Sequence, residues 1–155
     1  ETGDVVAEGD LFVAEPNEDI LVSTDTVAEA LGGPGILLDG RPEDQFAGKE
    51  KHKAAVRFGH IPGAVNFDQA RFYDEKTNRL KPAGDLAKLL PASLANEAQQ
   101  VISYCNTGHW AATNWFVLSQ LLGHENVTLY DESMVGWSRD KDLPIVGPQS
   151  VAATN

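Results

Sequence analysis

The chain has 155 residues, about one domain at the usual ~100–200 residues each, and its 42% hydrophobic and 23% charged residues are globular rather than disordered proportions. A formal net charge of −11 works against nucleic acid and anionic membrane surfaces, both of which reward Lys and Arg, and no apolar run approaches the ~18–20 residues of a membrane span. A single cysteine excludes an internal disulfide framework and any multi-cysteine zinc site.

Residues 1–21 read as an acidic lead-in, with seven Asp or Glu and no Lys or Arg from Glu1 to Asp19. The start, Glu1-Thr2-Gly3, has neither an initiator Met nor a signal-peptide pattern and reads as a processed end. That start and the low Lys content lean slightly toward a periplasmic rather than cytoplasmic setting. Ser23 to Thr26 supplies N-cap residues for a short helix that Gly32-Gly33-Pro34-Gly35 ends. Ile36-Leu37-Leu38, apolar on both faces, predicts a buried parallel strand ending at Asp39-Gly40-Arg41-Pro42. A loop at 49–57 then collects four of the twelve basic residues, Lys49, Lys51, Lys53 and Arg57. Gly84 to Leu90 predicts a helix stopped by Pro91, and Val101 to Tyr104 a second buried strand leading into Cys105. Over 111–122 the spacing predicts a helix with Ala112, Trp115, Phe116, Ser119 and Leu122 on its apolar face and Gly123 closing it. Val127 to Tyr130 is another strand, and the tail after Pro144 reads as a surface extension. Alternating strands and helices predict a single α/β domain over 22–143, a mainly parallel central sheet with helices on both faces, followed by an extension over 144–155.

The chemistry concentrates in Tyr104-Cys105-Asn106-Thr107-Gly108-His109-Trp110-Ala111, where a parallel strand ends and a helix begins. Ligand sites of open α/β sheets lie at the carboxyl ends of strands, and amides turning into a helix N-terminus form a concave set of donors. Helix dipole and donors together stabilise a thiolate at Cys105, and Gly108 permits a tight loop. Against this stands the ordinary role of a lone cysteine as a small buried hydrophobe. Metal chemistry is the weaker reading, because Cys105 and His109 find no further ligand at suitable spacing.

Four segments in order resemble the rhodanese (thiosulfate sulfurtransferase) domain family, most closely the catalytic half of a tandem rhodanese. They are Leu37-Leu38-Asp39-Gly40-Arg41, Gly59-His60-Ile61-Pro62-Gly63-Ala64-Val65-Asn66, the Val101 to Ala111 strand and loop, and Tyr130-Asp131-Glu132-Ser133-Met134-Val135-Gly136-Trp137, with Glu132 where the family usually has Gly. The resemblance spans about Val22 to Trp137 and implies a rhodanese fold. It also implies a sulfurtransferase that moves a sulfane sulfur from thiosulfate or a similar donor to a thiol or cyanide acceptor through a Cys105 persulfide, without cofactor or metal. The substrate-binding residues it implies are Asn106, Thr107, Gly108, His109, Trp110 and Ala111, with Asp39 and Arg41 as support. The partners implied are a small anionic donor, a thiol or cyanide, and in one reading a protein sulfur acceptor, with no nucleic acid and no membrane. Likeness to the catalytic half raises the expectation of a further domain upstream.

The loop departs from the family pattern, which often has Arg directly after the Cys. Here Asn106 follows, and no fixed positive charge remains between Cys105 and Ala111. The departure implies weaker thiosulfate binding or another sulfur donor, with cations drawn from 49–57 and from protonated His109. A phosphatase of related fold needs Arg six positions after Cys, where this chain has Ala111. The alternative from another functional class is a persulfide carrier or protein-binding module without free thiosulfate turnover. His60 and Asn66 read as shaping residues, Trp110 as core or pocket wall, Trp115 and Phe116 as core, and His124 as a helix-exit residue.

Overall fold

The computed structural model describes residues 17–148. Its central sheet is four parallel strands, β1 (Ile36–Asp39), β2 (Val65–Asn66), β5 (Val101–Tyr104) and β6 (Val127–Leu129), in the order β2-β1-β5-β6. A separate hairpin pairs β3 (Tyr73–Asp74) with β4 (Arg79–Leu80). The helices are α1 (Thr24–Glu29), α2 (Glu43–Phe46), α3 (Ala83–Leu89), α4 (His109–Phe116) and α5 (Ser133–Trp137). The acidic lead-in expected over 1–21 lies mostly outside the described residues.

The two central strands pair in register from Ile36 opposite Val101 to Asp39 opposite Tyr104, and every residue of both is buried. Side chains alternate between sheet faces, so two cores form. Ile36, Leu38 and Val101 join Leu86 of α3 and Val117 and Leu118 beyond α4 on one face. Leu37, Ile102 and Tyr104 join Val27 of α1 and Met134 and Trp137 of α5 on the other. The continuous apolar runs of β1 and β5 follow from this two-sided burial, as the sequence predicts. Ser23 caps α1 as expected, its Oγ accepting from Thr26 N–H at 3.2 Å.

One expectation is corrected. The apolar face predicted for the 111–122 helix is rotated. Ala111, Asn114, Val117 and Leu118 are the buried positions, while Phe116 is 41% exposed and Trp115 only packs against the core edge with its indole N–H on Val127 O. After Phe116 the helix widens into a π turn over Val117–Leu121, with Leu122 N–H reaching back to Val117 O. The described part of the stretch expected as a surface extension is fastened to the domain: Val146 exchanges both backbone hydrogen bonds with His60, and Trp137 donates its indole N–H to Pro144 O. His124 stands just past the end of that helix, as expected, and is buried, with its Nδ1 lacking a partner among the described residues.

Candidate active site

Cys105 follows β5, one residue beyond the carboxyl end of a central strand, and it is 1% exposed. Its amide donates to Ser133 Oγ at 3.0 Å, and that hydroxyl donates to Tyr130 O at 2.8 Å. Cys105 O and Asn106 O accept from the Met134 and Val135 amides. The first turn of α5 thus fixes the root of the loop. Gly108, at φ +82°, turns the chain into α4, and a Cβ there would stand 3.1 Å from the backbone of Asp131. Among the described residues, none of the backbone N–H groups from Asn106 to Ala111 donates to a protein acceptor. These are six consecutive unpaired donors beside a cysteine, a set of the kind that can hold an anion.

A pocket of about 220 Å³ opens over Cys105, lined by Cys105, Asn106, Thr107, His109, Trp110 and, from the distant 49–57 loop, His52. Trp110, 36% exposed, is pocket wall rather than core. The Asn106 side chain turns toward α2, its Nδ2 donating to Gln45 Oε1 at 2.8 Å. Its Oδ1 is buried and unpartnered among the described residues. His109 Nδ1 lies 3.2 Å from Thr107 O and 3.3 Å from Thr107 Oγ1. Ala111 is fully buried outside the pocket lining, and its carbonyl accepts from Ser103 Oγ.

Asp39 and Arg41 stand below the site as a buried bidentate pair, with Arg41 Nη2 2.6 Å from Asp39 Oδ2 and 2.9 Å from Gly59 O. Burial works against the guanidinium charge, but the hydrogen bonds and attraction of Asp39 outweigh it and hold the Arg41 pKa above its ordinary value. Tyr104, fully buried in the same layer, is pushed well above the phenol range by desolvation and by the Asp39 charge. Asn66 donates to Asp39 O and Arg41 O, and His60 stacks on Phe46 with its Nδ1 on Phe46 O. These residues shape the turn and do not line the pocket.

The four cations of 49–57 do not line the pocket either. Lys49 pairs with exposed Asp44, and Lys51 donates to Ala55 O and lies 5.5 Å from the Phe58 ring centroid. Arg57 spreads its guanidinium over the carbonyls of Trp137, Ser138, Asp140 and Leu143. Lys53 is exposed. His52, Gln45 and Ser133 were not identified by sequence reasoning, and only the position of Ser133 within the Tyr130 to Trp137 segment carried any signal. A larger cleft of about 740 Å³ lies at the amino ends of β5 and β6, around Gln100, Trp115, His124 and Glu125, remote from Cys105 in the sheet's polarity. The described residues hold no cluster of three or more His, Cys, Asp or Glu placed for a metal ion, and no helix among them is long and apolar enough to cross a membrane.

Residues 23–140 match the rhodanese-like domain family. A thiosulfate sulfurtransferase of Corynebacterium glutamicum is 38% identical over 130 residues, covering 77% of this chain and 42% of that protein. A Saccharopolyspora erythraea protein named "Putative thiosulfate sulfurtransferase" is 33% identical over 145 residues, covering 90% of this chain and 51% of its own length. The chain therefore spans about half the length of the curated relatives it matches. In structure it is similar to the anaerobic ergothioneine biosynthesis enzyme of Chlorobium limicola, with TM-score 0.74 and 19% identity over 84% of this chain and 32% of that one. That likeness is one of fold.

Proposed function

We propose a sulfurtransferase function from one premise: the chain belongs to the rhodanese-like domain family. The observation that carries the reading is Cys105 under a small pocket at the end of a central strand, beside a run of unpaired amides. In the proposed first half-reaction the Cys105 thiolate attacks the outer sulfur of thiosulfate or a similar donor. A Cys–S bond forms, the donor S–S bond breaks, and sulfite leaves with the bonding electrons. In the second, cyanide or a thiolate attacks the outer sulfur of the persulfide and the Cys105 thiolate returns. The loop amides favour the charge on thiolate and persulfide throughout, without rearrangement. Support for thiosulfate as donor comes from the names of the relatives.

A second reading, a persulfide carrier fed by another protein, is favoured by one observation: no Lys or Arg lines the pocket. Intact-protein mass spectrometry separates the two. We expect one added sulfur atom after thiosulfate, removed by cyanide and absent in Cys105→Ser. A parent protein that takes sulfur from a persulfidated protein but not from thiosulfate is a carrier. Sulfur uptake by Cys105→Ser overturns both readings.

A further inference from the structure

The pocket over Cys105 is lined by two imidazoles, and a backbone donor fixes the tautomer of one of them. His109 Nδ1 lies 3.2 Å from the carbonyl and 3.3 Å from the hydroxyl of Thr107, an acceptor and a possible donor, so either tautomer is satisfied there. At His52 the partner decides. The Ala54 N–H donates to His52 Nδ1 at 3.3 Å, so that nitrogen is the acceptor and the proton of the neutral ring sits on Nε2. His52 thus presents Nε2–H as its donor.

The surroundings leave this donor without a charged competitor in the pocket lining. Cys105 and His109 are the other titratable groups there. Of the flanking chain, Lys51 is engaged with Ala55 O and Phe58, while Glu50 and Lys53 are exposed and absent from the lining. Lys49 and Asp44 neutralise one another outside it, and Asp131 packs behind Gly108. The buried Asp39–Arg41 pair lies beneath the site. An anion reaching Cys105 would find the backbone amides of the loop, the indole N–H of Trp110 and, from the 49–57 segment, the Nε2–H of His52.

We propose that His52 is a specificity-determining residue that recognises the anionic end of the sulfur donor through its Nε2–H. The role rests on the sulfurtransferase reading of Cys105, but it can be tested apart from it. Cys105 is the single cysteine, so its alkylation is read unambiguously by mass. The ratio of its rates with iodoacetate and iodoacetamide compares an anionic with a neutral reagent, and the thiolate fraction cancels.

His52→Ala is expected to lower that ratio about tenfold, the worth of one hydrogen bond to a charged group, while the iodoacetamide rate holds. His52→Gln, which returns an amide N–H at similar reach, is expected to recover at least half of the lost ratio. An unchanged ratio in His52→Ala overturns the proposal. So does a fall in His52→Gln equal to that in His52→Ala, because the N–H donor would then not be what matters. Sulfur loading from thiosulfate is followed in the same proteins, with a higher half-saturating concentration expected for His52→Ala. If the parent takes no sulfur from thiosulfate yet its alkylation ratio depends on His52, the donor assignment fails and the anion site stands. If thiosulfate loads parent and His52→Ala alike, the sulfurtransferase reading stands and the role of His52 falls.

Discussion

Ser133 sits at φ +50°, a conformation most side chains avoid, and is fully buried between Tyr130 O and the Cys105 amide. Its hydroxyl spends its donor on one and its acceptor on the other, so the strained backbone places a single atom where two main-chain groups need it. Ser133→Ala leaves the Cys105 amide and the Tyr130 carbonyl without this partner, and we expect a loss of about 1–3 kcal/mol in urea unfolding together with slower sulfur loading of Cys105. At this scale the sequence was readable where position along the chain carries the signal. Cys105 at a strand end is of that kind, and the Asp39 and Arg41 turn is so through the motif it matches. It was silent where function depends on a partner far along the chain: Gln45 meets Asn106 across 61 positions, and Ser133 meets Cys105 across 28. His52 stands between Lys51 and Lys53 in the sequence, and only the fold brings it to the pocket.

The long helix after the loop shows how a correct element can be given the wrong face. Ala112, Trp115, Phe116, Ser119 and Leu122 and the observed Ala111, Asn114, Val117 and Leu118 are both helically periodic sets, about one residue apart in phase. Bulk favoured Trp115 and Phe116, but the sheet chose by fit. Asn114 Nδ2 lies 2.9 Å from where a Cβ on Gly40 would stand, so a small, flat side chain meets the turn after β1 there. The π turn at Val117–Leu121 then keeps Val117 and Leu118 facing the core. Short elements such as β2 and the β3–β4 hairpin, two residues per strand, carry too few positions for any period to register. The rotated face makes a direct prediction. Leu118→Ala should cost about 2–5 kcal/mol as a core truncation, whereas Phe116→Ala should cost less than about 1.5 kcal/mol, both read by urea unfolding. Equal costs would restore the face suggested by bulk alone.

Across the whole molecule the charge and the buried histidine set a pH response. Burial pushes His124 below the ordinary imidazole range, with Glu97 opposing the shift. In mildly acidic solution the unfolded chain therefore binds a proton at this site more readily than the folded one, and stability falls as pH drops below the ordinary imidazole value of about 6.5. Between about pH 7 and pH 5 the melting temperature of the parent is expected to fall further than that of His124→Gln. Parallel melting curves for the two proteins would assign the response to other groups. The rest of the architecture, four parallel strands with a core on each face, follows from the apolar runs at 36–38 and 101–104.

The Arg57 side chain, spread over four carbonyls between Trp137 and Leu143, has a mechanical consequence. It rivets the 49–57 loop to the segment by which the chain leaves α5, and the His60 to Val146 bonds add a second fastening a few residues on. The wall that carries His52 and the outgoing chain are therefore tied to one another at two places, and the rim over Cys105 is fastened to the end of the domain as well as to its sheet.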